Sequence, residues 1–168
     1  MAKMTNAKVT RLDNHQIKFR NFAGRPTKFD REGGKRTFAL ILSPEEADAL
    51  SADGWNVTVP IPKDESYPVI PIMNVKVNLT SNYPPEIYVI TDEYKTKLNP
   101  ENVSSLDYAE IEYVDIVISP HEFQRRTDGS WAANPYLKTL YVKIVKDELA
   151  EKYSNLIETT EDQIPFSD

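Results

Sequence analysis

Along most of this chain apolar and polar residues alternate with a period of two, the signature of half-buried β-strands. Ile17 to Phe22 places Ile17 and Phe19 on one face and Lys18, Arg20 and Phe22 on the other. Thr37 to Leu42 sets Phe38, Leu40 and Leu42 together. Gly24, Pro26 and the pair Gly33-Gly34 punctuate the stretch between, so the two runs predict a hairpin with a long loop. Lys8 to Leu12 begins a strand ahead of it. Ser43 as N-cap, Pro44 at the first helical position and Glu46 completing a capping box predict a short helix, which Asp53-Gly54 stops. Strand patterns resume over Trp55 to Val59, Val69 to Leu79, Glu86 to Thr91, Ala109 to Phe123 and Tyr136 to Val145. Pro60, Pro62 and Pro68 make an irregular edge or loop of the segment after Val59. Asn99-Pro100-Glu101 starts a helical turn or two ending before Ala109, and Asp128-Gly129 turns a hairpin. Leu149, Tyr153 and Leu156 are spaced to dock a last helix, Asp147 to Leu156.

Six or more strands with two or three short helices, no βαβ rhythm and no internal repeat predict a mainly β fold. A small antiparallel barrel of five or more strands, of the OB type, fits the count and the long hairpin loop. The expected division is one domain over residues 1–156 and a flexible acidic tail over 157–168.

Charge changes the picture. The chain has 168 residues and a net charge of −6, which argues against a wholly basic binder. Part of that acidity belongs to the tail, where Glu158, Glu161, Asp162 and Asp168 meet no lysine or arginine. The long hairpin is locally basic, with Lys18, Arg20, Arg25, Lys28, Arg31, Lys35 and Arg36 against Asp30 and Glu32. Phe19, Phe22, Phe29 and Phe38 are interleaved with these cations. Cations neutralise phosphates and rings stack on unpaired bases, so the combination predicts a surface for single-stranded nucleic acid. Gln124 to Trp131 repeats it with Arg125, Arg126 and Trp131 in a hairpin loop. Lys138 and Tyr141 follow on the next strand, Tyr141 sharing an outer face with Lys143. The expected phosphate contacts are Arg20, Arg25, Lys28, Arg31, Lys35, Arg36, Arg125, Arg126 and Lys138. The expected stacking rings come from Phe22, Phe29, Trp131 and Tyr141.

Other classes find little support. No apolar run approaches a membrane span, the opening MAKMTNAKVTR lacks a signal-peptide core, and there is no cysteine. The expectation is a cytoplasmic protein without disulfide or thiolate chemistry. His15 and His121 belong to no HxH or HExxH pattern, and no GxGxxG, Walker loop or GxSxG occurs. No catalytic residue, metal or cofactor is expected. Asp92-Glu93-Tyr94-Lys95 is the thin basis for a metal-dependent nuclease, and a virion or assembly barrel is the other alternative.

The tail reads ETTEDQIPFSD. Its Asp162, Ile164, Pro165 and Phe166 resemble the acidic Asp-Ile-Pro-Phe tip of bacterial single-stranded-DNA-binding proteins. Gln163 interrupts the acidic run, and Ser167-Asp168 displace the α-carboxylate that a partner would grip. The body is similar instead to phage-encoded OB-type ssDNA-binding proteins, in the stretches GRPTKF-REGGKR and NPYLKTLYV. The resemblance implies an OB core, sequence-tolerant ssDNA binding, and recruitment of replication or recombination proteins through Glu161, Asp162, Ile164, Pro165 and Phe166. It implies the host cytoplasm as location and leaves homo-oligomerisation open.

Overall fold

The barrel closes through one bent run of chain. Thr10–His15 (β1) and Ile17–Asn21 (β2) are separated only by Gln16, yet β1 pairs with one end of the sheet and β2 with the other. The remaining elements are Arg36–Ile41 (β3), the helix Pro44–Ala52 (α1), Ile72–Val77 (β4), Glu86–Ile90 (β5), Lys95–Lys97 (β6), a 3₁₀ turn at Val103–Asp107, Ile111–Gln124 (β7) and Trp131–Ile144 (β8). The computed structural model describes residues 4–28 and 31–145. The expected helix at 147–156, the tail from 157 and the ring of Phe29 lie outside the described residues. No helix among the described residues is long and apolar enough to cross a membrane.

The strand order is β1-β7-β8-β4-β3-β2, so the two ends of the sheet meet at Gln16. The chain bends there with Asn14 at φ 58° and the Ile41 amide donating to the Gln16 carbonyl at 2.9 Å. β8 pairs with β7 along its length. Its other edge is shared, by β4 at Tyr136 and by β5 from Thr139 onward. Those two pairings are parallel and the other strand pairings antiparallel. The architecture is mainly β and of the OB type, as expected from the strand count and the long hairpin loop. The sheet is not wholly antiparallel, however, because β4 and β5 both run alongside β8 in its own direction.

Period-two burial gives each strand one interior face. Phe38, Leu40, Met73, Val75, Val114, Ile116, Ile118, Leu140 and Val142 fill the barrel, joined by Phe22, Trp55 and Leu106. The predicted helix boundaries hold. Ser43 Oγ accepts from the Glu46 amide at 3.1 Å and Glu46 Oε1 accepts from the Ser43 amide at 3.0 Å. Three local readings differ. Trp55 to Val59 makes only the bridges Trp55↔Ala133 and Thr58↔Ile72, because the flanking prolines leave no continuous ladder. β6 is three exposed residues whose charged pattern carries no strand signal. β8 starts at Trp131 rather than Tyr136, since Pro135 sits opposite Pro120 and the two missing amides share one rung.

Candidate nucleic-acid interface

The strand registers build one continuous polar and aromatic row on the outside of the barrel. Phe38, Val75 and Leu137 face the core, so Thr37, Lys76 and Tyr136 face outward. The partners Asn21↔Thr37, Thr37↔Lys76, Lys76↔Tyr136 and Tyr136↔Ser119 form a row across β2, β3, β4, β8 and β7. The next outward positions pair Lys18↔Ala39 and Ala39↔Asn74 at one side and Asn134↔His121 at the other. The His121 ring packs 4.9 Å from that of Tyr136, and the Arg125 guanidinium lies 5.8 Å from the Phe123 ring. Five strands spaced by about 4.8 Å make the row roughly 19 Å wide, on the scale of the shorter ssDNA sites of OB folds.

A cleft of ≈ 320 Å³ opens beside Tyr136, lined by Gly34, Lys35, Arg36 and Lys76 among others. Arg36 pairs with Val77 and so leaves β3 on the interior side, at the rim of the barrel. Among the described residues its Nη1 is the one buried side-chain nitrogen or oxygen without a hydrogen-bond partner. A desolvated guanidinium donor with no acceptor is costly, and a phosphate oxygen in the cleft is one group that could meet it.

The long loop keeps its basic character but spends two arginines on its own base. Arg20 Nη1 donates to the carbonyls of Leu106 at 2.8 Å and Ala109 at 2.7 Å. Arg25 donates through its amide to Asn21 Oδ1 at 2.8 Å and through Nη2 to the Arg20 carbonyl at 3.1 Å. Asp107, its side chain 1 % exposed, accepts from the amides of Phe22 at 2.7 Å and Ala23 at 3.1 Å and faces Arg25 Nη2 at 3.7 Å. These contacts pin the loop to the 3₁₀ turn and take Arg20 away from the outer row. Lys28, Arg31 and Lys35 are exposed farther along.

Phe22 is not a stacking platform. It is fully buried, 0 % exposed, with its ring 5.1 Å from that of Phe38. The register shifts between Lys18 and Asn21, and the extra residue reverses the alternation, turning Phe22 inward and Phe19 outward. Trp131 is 41 % exposed at the start of β8, and Arg126 is exposed at the same hairpin tip. By alternation Trp131 shares the face of Ala133 and Leu137, opposite to Phe123 and Tyr136. Because β2, β4 and β8 run the same way, the two predicted loops leave opposite ends of the sheet, with the outer row between them.

Tyr141 faces outward on β8 and stacks on Tyr88 of β5 at 5.3 Å, with Lys95 Nζ 4.6 Å from Tyr88 and 5.2 Å from Tyr141. Lys143, on the same face, is held by Asp92, whose hydrogen bond raises the lysine pKa. Lys138 is exposed near the bulge where β8 changes partners, beside a second cleft that also includes Lys97 and Tyr83. Lys76, His121, Phe123 and Tyr136 were not among the DNA contacts expected from the sequence. A lone outward residue on each of several strands carries no local signal, and only the pairing gathers them. Among the described residues no group of three or more His, Asp and Glu is arranged to hold a metal ion.

A family model described as "Putative phage ssDNA-binding domain" matches residues 2–168. No curated protein matches the sequence. The fold is similar to that of the single-stranded DNA-binding protein from bacteriophage Enc34 in complex with ssDNA, at 11% identity, over 88% of this chain and 95% of that one, with a TM-score of 0.53. A C-terminal truncation of the same phage protein aligns at 10% identity, over 88% of this chain and 98% of that one, with a TM-score of 0.51.

Proposed function

Since the chain belongs to the phage ssDNA-binding domain family, we propose that it binds single-stranded DNA without sequence preference along the outer row of β2, β3, β4, β8 and β7. The observation that carries this is the row itself, where the rings of Tyr136, His121 and Phe123 lie together on the outer face with Lys76 at one end and Arg125 at the other. Cations along such a face track phosphates, and the rings accept bases of any identity. Lys28, Arg31, Lys35 and Arg36 extend the field from the loop, and Arg126 extends it at the β7–β8 tip, where Trp131 offers a ring on the opposite face. Tyr141 and Lys138 continue it along β8.

The protein acts by holding and protecting the strand in phage DNA replication, recombination or repair, and carries out no catalysis. Residues 1–156 form the binding domain. Residues 157–168 serve as an anionic peptide through which Glu161, Asp162, Ile164, Pro165 and Phe166 recruit partner proteins in the host cytoplasm. Likeness of that segment to a known recruitment tip supports this role.

Fluorescence titration with poly(dT) tests the reading. Tight binding at low salt, preference over duplex DNA, and a log K against log salt slope of about −3 to −4 are expected for roughly four to six engaged phosphates. Equal affinity for duplex, or no binding at low salt, would favour the assembly-protein alternative. Mg²⁺-dependent cleavage of the same substrate would overturn the non-catalytic assignment.

A further inference from the structure

Phe19 occupies a position that interior packing does not explain. The alternation of β2 directs its ring to the core beside Ile17, yet the bulge turns it out to 69 % exposure. Its backbone stands at φ 53°, in the left-handed region, where the Cβ of an ordinary L-residue crowds the neighbouring carbonyl. Asparagine visits this region readily, as Asn14 does at φ 58°, but phenylalanine does not. The surroundings enforce the strain. β2 is paired to β3 on both sides of the bulge, and the next residue, Arg20, is fastened to the Leu106 and Ala109 carbonyls. A residue held in a disfavoured conformation while its side chain remains largely in solvent points to a role outside the fold.

Its surroundings say which role. Lys18 pairs with Ala39 on the outward face and Ala39 with Asn74, so Lys18 and Phe19 stand at the β2 edge of that face, next to Asn21 in the outer row. Lys18 Nζ lies 4.9 Å from the centroid of the Phe19 ring. Charge and π-face are thereby presented as one unit. We propose that Phe19, with Lys18 beside it, is a stacking platform for an unpaired base at the β2 edge of the interface, an assignment that rests on the ssDNA reading above. The bulge serves to expose the ring, because a regular strand would return it to the interior.

Three substitutions test this against oligo(dT). Phe19→Gly removes the ring and accepts positive φ without strain, Phe19→Leu keeps the strain and apolar bulk, and Phe19→Trp keeps an aromatic face. Phe19→Gly and Phe19→Leu should weaken binding roughly five- to hundred-fold with the salt slope unchanged, while Phe19→Trp stays within about two-fold. Phe19→Gly should melt no lower than wild type, since it relieves the backbone. Wild-type binding by either ringless variant overturns the platform, and a marked drop in the Phe19→Gly melting temperature makes the ring structural instead. Failure of the wild-type protein itself to bind oligo(dT) overturns the underlying ssDNA reading and is separable because it precedes any variant.

Discussion

Arg20 and Lys76 carry the same charge and do opposite kinds of work. Arg20 satisfies the carbonyls of Leu106 and Ala109, so Arg20→Ala strips both of a charged donor. Stability should fall by about 1.5–3 kcal/mol in urea unfolding, with the salt slope of ssDNA binding unchanged. Lys76 stands outward between Thr37 and Tyr136. Lys76→Ala should leave stability within about 0.5 kcal/mol and make the salt slope shallower by about 0.7, one lost phosphate contact. Tyr136→Ala, next along the row, should cost about 1–3 kcal/mol of ssDNA affinity without touching the slope, because stacking releases no counterions. An Arg20→Ala protein that is as stable as wild type but shows a shallower slope would return Arg20 to the DNA interface.

At the scale of elements, α1 is tied to the bend between β1 and β2 through one carboxylate. Glu46 closes the capping box with Ser43 and meets His15 Nε2 at 2.6 Å, while His15 Nδ1 lies 2.7 Å from the Asp13 carbonyl. Burial pushes the Glu46 carboxyl up, but the Ser43 amide and the His15 imidazole together pull it below its ordinary value. A carboxylate depressed in the folded state stabilises the protein above its unfolded pKa, and that contribution is lost as pH falls through the folded value. Thermal melts between pH 6 and pH 3 should therefore show wild type above Glu46→Gln at the upper end and the gap closing toward the lower. Glutamine retains the cap geometry, so the difference reports the charge. A gap that is constant with pH would remove Glu46 from the acid response.

For the whole molecule the testable question is how a chain of net charge −6 binds a polyanion. The outer row and the loop concentrate cations, while the segment 157–168 concentrates acid. Deleting 157–168 should leave the melting temperature nearly unchanged, since its composition is too polar to add core. A tethered anion competes with DNA at high effective concentration, so truncation should raise ssDNA affinity at low salt, with the gain shrinking as salt screens both interactions. Phe166→Ala should abolish partner capture and leave DNA affinity close to wild type. Truncation that unfolds the protein or weakens DNA binding would make the segment structural.

Local chemistry was enough to read the class of fold, the capping box, most strand positions and the basic loop. Each depends on a few neighbouring residues, as Ser43, Pro44 and Glu46 do, or on simple alternation, as in Val114, Ile116 and Ile118. Three things were decided only in three dimensions. A single extra residue in β2 sent Phe22 into the core and Phe19 to the surface, and the strand pattern by itself cannot show that a bulge reverses its parity. Arg20 and Arg25 are drawn to the base of the loop because Asp107 and the carbonyls of Leu106 and Ala109, more than 80 positions away, fold against them. The outer row formed because β4 and β7 flank β8, placing Lys76, Tyr136 and His121 together. No one of these residues announces a binding face, since a register between distant strands is a property of the closed sheet and not of any segment within it.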